Sequence, residues 1–112
     1  MGVRVINIPN AKESYNEVIS TALANVVAKI DEAKTKGETH CYIVVSGGKL
    51  PVEAIQTLLD VGYDISYKKF YKGDWFIKAY WEESKVSGGK LFCEKDSGFN
   101  MVEVSIEDYK IA

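Results

Sequence analysis

At 112 residues, with 46% apolar and 27% charged side chains, the chain can bury the core of one domain and does not fit the disordered class. A net charge of −2 leaves no overall basic surplus to offset phosphate, so any nucleic-acid role needs a local patch. No apolar run approaches the roughly 20 residues that span a bilayer, and Met1 to Ile8 lacks the charged lead and long apolar stretch of a signal peptide, so a cytoplasmic protein is expected.

Residues 3–8 (VRVINI) are rich in β-branched types and predict a strand, stopped by Pro9 and Asn10. Two capping boxes compete to start the next element, Asn10 with Glu13 and Ser14 with Glu17. The helix itself is marked by Tyr15, Val18, Ile19, Ala22, Leu23, Val26, Val27 and Ile30, which recur at three- and four-residue steps. Lys29, Lys34 and Lys36 suit the negative end of its dipole, and Gly37 supplies a left-handed stop. Residues 41–46 (CYIVVS) form a continuous apolar run, which predicts a strand covered on both faces. Gly47 and Gly48 break it. Pro51 opens a second helix, with Val52, Ile55, Leu58 and Leu59 on its apolar side and Gly62 at its end.

Two alternating stretches, 63–71 (YDISYKKFY) and 75–82 (WFIKAYWE), flank Lys72-Gly73-Asp74 and predict a hairpin. Weaker strand signals follow at 90–94 (KLFCE) and 101–106 (MVEVSI), with a turn at Asp96-Ser97-Gly98, and residues 106–112 are free to fray. The expected fold is a single α/β (α+β) domain over 1–112, in the order β-α-β-α-β-β-β-β. Its mixed sheet has about five to six strands, with two helices on one face. Strand–helix–strand crossovers predict that the first three strands are mutually parallel. The hexapeptide VSGGKL occurs at 45–50 and again at 86–91 in different surroundings, and reads as turn chemistry used twice.

Eight aromatic residues crowd the predicted hairpin: Tyr63, Tyr67, Phe70, Tyr71, Trp75, Phe76, Tyr80 and Trp81. Strand alternation sets Trp75, Ile77, Ala79 and Trp81 on one face, and Phe76, Lys78 and Tyr80 on the other, joined by Ser66, Lys68 and Phe70. A half-solvated sheet face does not normally carry that many rings. The surplus has three explanations. Phe70, Phe76, Tyr80, Lys68 and Lys78 form a protein-binding or self-association patch. They form a stacking platform for single-stranded nucleic acid. Or the tail strands fold over them and they are core. Four lysines against two aspartates in 63–81, with no arginine, favour protein over nucleic acid.

A second candidate is the strand–glycine–helix loop Ser46, Gly47, Gly48 and Lys49, whose N–H groups and ammonium suit an anion such as phosphate or a nucleotide. Neither P-loop nor dinucleotide spacing is present, and the plainer use of the glycines is a tight turn. His40, the one histidine, precedes Cys41, but neighbouring strand residues face opposite ways, so the pair is no catalytic dyad. No metal-ligand spacing and no cofactor motif occurs. Cys41 and Cys93 read as free thiols of a reduced compartment.

The middle of the chain shows a helix ending at Gly37, a short strand at 41–45 (CYIVV), a helix led by Leu50-Pro51 that carries Leu58-Leu59, the Gly62-Tyr63 turn, and the aromatic strand 75–81 (WFIKAYW). Over residues 20–82 this resembles a loose class of small phage-encoded α/β proteins. The resemblance implies a viral protein acting in a bacterial host by binding a host or virion partner, and it carries no catalytic residue. A non-enzymatic binding protein is therefore expected.

Overall fold

The computed structural model describes residues 8–70, 73–82, 87–95 and 100–112. Its elements are α1 (Ala11–Thr35), β1 (His40–Val45), α2 (Val52–Asp60), β2 (Asp64–Lys69), β3 (Trp75–Tyr80), β4 (Leu91–Lys95), β5 (Asn100–Val104) and α3 (Ile106–Ile111). The predicted N-terminal strand falls on residues outside the described ones, apart from Ile8.

Of the two competing caps, Asn10 is the one used. Its side chain accepts from the Glu13 N–H at 2.8 Å, and the Glu13 carboxylate accepts from the Asn10 N–H. α1 buries Ala22, Val26, Ile30 and Ala33, while Tyr15, Val18 and Val27 of the apolar stripe remain exposed. Gly37 closes the helix at φ 75°. α2 buries Ala54, Ile55, Leu58 and Leu59.

The sheet is mixed, in the order β1-β3-β2-β4-β5. β2 and β3 form the expected antiparallel hairpin, with Gly73 in the left-handed region at φ 82°. β3 also pairs antiparallel with β1, and β4 pairs parallel with β2 and antiparallel with β5. One expectation is met for the described strands and one is corrected. β1 and β2 do point the same way, as a crossover through α2 requires, but the returning hairpin strand β3 slots between them. They are therefore not neighbours. Nor, among the described residues, is β1 an interior strand: it lies at the end of their sheet, and Tyr42 and Val44 are exposed.

The pleat divides the sheet. Cys41 and Ile43, Ile65 and Tyr67, Trp75, Ile77 and Ala79, and Leu91 all point to the covered face and are buried. All three described helices lie on this side. α1 packs over β1, α2 over β2, and α3 against α2. Fully burying an isoleucine such as Ile55, Ile65 or Ile77 contributes roughly 1.5–3 kcal/mol, so this single layer holds most of the apolar driving force.

The end of the chain adds a part that the sequence pattern left unassigned. Ser105 and Asp108 cap α3 reciprocally. Tyr109 is driven fully into the core, edge-on to Tyr67 and Trp75, and donates to the Leu50 carbonyl at 2.6 Å.

Candidate functional site

The other sheet face has no helix over it among the described residues. Cross-strand register brings His40, Tyr42 and Val44 of β1 beside Tyr80, Lys78 and Phe76 of β3, and those beside Asp64, Ser66 and Lys68 of β2. Phe70, just past β2, continues that row. The rings form a chain across the strands. Tyr42 and Phe76 have centroids 5.1 Å apart, Phe76 and Phe70 6.2 Å, and His40 meets Tyr42 edge-on at 5.5 Å. Tyr42 is 47% exposed, Val44 62% and Phe70 39%, while Phe76 and Tyr80 are half-buried. The tail strands β4 and β5 do not fold over this face; they lengthen the sheet sideways.

The lysines lie against the rings. The Lys78 ammonium stands 5.1 Å from the centroid of Tyr42 and 4.5 Å from that of Tyr80, and Lys68 lies 5.7 Å from Phe70. Each such contact is worth about 0.5–1 kcal/mol at an exposed site. They hold cationic charge at the surface of an apolar patch. Tyr80 is anchored through its hydroxyl, 3.0 Å from that of the buried Ser66.

Phe92, Glu94, Met101 and Glu103 carry the face onward across β4 and β5. There it turns acidic, and a hollow of about 220 Å³ opens between Asp64, Tyr80, Glu82, Phe92 and Met101. The face thus has a basic aromatic half on β1, β3 and β2 and an acidic half on β4 and β5.

The structure brings together Phe70, Phe76, Tyr80, Lys68 and Lys78, the residues that sequence alternation put on one face. Sequence reasoning missed Tyr42, Val44, Phe92 and Met101. The signal for Tyr42 was its two-residue spacing from His40 and Val44, hidden inside a run that is apolar at every position from Cys41 to Val45.

The glycine loop is built differently. Gly47 takes φ 72° and donates its N–H to the Asp74 carboxylate at 3.1 Å. Lys49 turns away from the start of α2. Its ammonium donates to the carbonyls of Tyr109 and Lys110, at 2.5 and 2.9 Å, and lies 4.8 Å from the Tyr109 ring centroid. Desolvation, helped by Lys69, lowers its pKa. An anion in this loop would have to draw Lys49 from two carbonyls and tolerate the Asp74 carboxylate beside Gly47. Ser46 and Lys49 also border a groove of about 680 Å³ between α1 and β1.

His40 and Cys41 point to opposite faces, as alternation requires. Cys41 is buried, which pushes its thiol pKa up, and Cys93 is half-buried. Three strand spacings, about 14 Å, separate β1 from β4, too far for these two to bridge. Among the described residues no three His, Cys, Asp or Glu side chains converge as a metal site, and no helix is long and apolar enough to cross a membrane.

No family model, curated protein or solved structure matches this chain. Function is therefore argued from the face itself.

Proposed function

We propose that this protein is a non-enzymatic binding module that docks another protein on its uncovered sheet face. One observation carries the proposal: Tyr42, Phe76 and Phe70 form a continuous, partly exposed row of rings flanked by Lys78 and Lys68. Aromatic anchors at the centre of a patch with charge around them are the usual make-up of a protein interface. The lysines select a partner segment that pairs apolar side chains with carboxylates.

Single-stranded nucleic acid fits the same rings less well. A backbone track needs a run of cations, and on this face Lys68 and Lys78 give way to Asp64 at the start of β2 and to Glu94 and Glu103 on β4 and β5. In this reading, following the resemblance to phage-encoded proteins, the partner is a host or virion protein.

The test is capture and titration with the wild-type chain and with Phe76→Glu. Loss of one specific partner with the variant, while its fold persists, supports docking on this face; equal binding by both removes it.

A further inference from the structure

The free edge of β1 is a feature that docking on the open face does not use. Among the described residues β1 ends the sheet and pairs with β3 alone, and none of them is a strand partner for the backbone groups along its outer side. Natural edge strands are usually blunted by charge, proline or a bulge. At the opposite end β5 carries Glu103. β1, with the sequence HCYIVV, has no lysine, acid or proline. The groove of about 680 Å³ between α1 and β1 lies along this strand. Val18 and Ala22 form part of its helix wall and Ile43 and Val45 part of its strand wall, while Glu17 and Lys29 stand toward opposite ends of the helix wall.

We propose that a second copy of this chain docks here, β1 against β1, antiparallel about a two-fold axis, so that one sheet runs through both copies. A two-fold interface uses the same patch twice and must be complementary to itself. This edge meets that condition in two ways. An axis at Ile43 sets Tyr42 of each copy opposite Val44 of the other, an aromatic–β-branched pair that meets side by side and leaves the outward surface of the open face free. The same operation reverses one α1 against the other, which turns Glu17 of one copy toward the Lys29 end of its mate. Within one copy these two are about 18 Å apart along the helix and cannot pair. Dimerisation also joins the two open faces side by side.

Analytical ultracentrifugation over a micromolar to submillimolar series tests this. The wild-type chain is expected to shift from one chain mass to two. Val44→Lys, which blunts the edge, is expected to stay at one mass throughout with an unchanged circular-dichroism spectrum. Glu17→Lys is expected to weaken the dimer about tenfold, and Glu17→Lys with Lys29→Glu to restore it. A wild-type chain that stays monomeric, a Val44→Lys chain that dimerises as wild type, or a double charge swap that fails to restore would each overturn the proposal. If Val44→Lys unfolds, the charge-swap pair, on exposed helix positions, decides alone.

Discussion

Tyr42 and Phe76 meet with ring centroids 5.1 Å apart on the uncovered side of the sheet, although α2 and all of β2 lie between them in sequence. They meet because β3 returns into the gap between β1 and β2 and pairs with both. That insertion turns an aromatic hairpin and an edge strand into one surface.

Substitutions on that surface should therefore spare the fold. Phe70→Glu and Tyr42→Glu are each expected to change unfolding free energy by no more than about 1 kcal/mol, because both rings are substantially exposed. Ile77→Ala, one strand position from Phe76 on the covered side, is expected to cost about 2–5 kcal/mol. Urea denaturation of the three variants distinguishes the faces. Comparable losses would mean that the rings are core.

The repeated VSGGKL gives a paired comparison. At Gly48, in the first copy, an added Cβ meets nothing within 4 Å. At Gly89, in the second, it would sit 1.7 Å from the Tyr63 carbonyl oxygen, where the backbone is pinned by a Gly89 N–H bond to Leu59 O at 2.7 Å. Gly48→Ala is expected to be nearly neutral. Gly89→Ala is expected to cost about 3 kcal/mol or more, since backbone itself must move. Thermal melts of the two proteins read the difference directly.

Lys49 ties the loop after β1 to the end of α3. Lys49→Met keeps the aliphatic stem but removes the ammonium from two carbonyls and from the Tyr109 ring, and is expected to cost about 1–2 kcal/mol. Hydrogen exchange should quicken first in α3. Unchanged stability and exchange would show that the ammonium contributes nothing net there.

Alkaline pH should unfold the domain through its tyrosines. Burial holds the Tyr67 and Tyr109 phenols above the ordinary tyrosine value. An unfolded tyrosine starts to ionise near pH 10, so above that pH the native state keeps protons that the unfolded state has lost. The stability these phenols contribute is complete below about pH 10 and falls as pH rises beyond it. Lys49 opposes this in part, because its lowered pKa relieves its desolvation cost as it loses its proton. In a titration of tyrosinate absorbance, Tyr67 and Tyr109 are expected to ionise only with the loss of ellipticity. Their ionisation in a folded protein would contradict the burial.

Much of this fold is legible in local pattern. α1 follows from three- and four-residue spacing, though the choice of Asn10 over Ser14 as its cap does not, and the β2–β3 hairpin with its two faces follows from strict alternation around Gly73. Strand order is not local: the shared direction of β1 and β2 follows from the crossover rule, but the insertion of β3 between them does not. Continuous apolar character misled at β1, because Tyr42 and Val44 look the same in sequence whether a second layer covers them or not. α3 escaped notice because six residues carry little periodicity, and what holds the helix is a tertiary fact, Tyr109 wedged against Tyr67 and Trp75.

The most direct measurement is a comparison of three immobilised proteins, wild type, Phe76→Glu on the open face and Ala28→Glu on the exposed side of α1, each shown to be folded. Partners captured on them are purified and titrated by calorimetry. The account predicts a protein that binds wild type and Ala28→Glu with matching affinity and Phe76→Glu at least about tenfold more weakly. A partner held equally by all three, or lost only with Ala28→Glu, would contradict it.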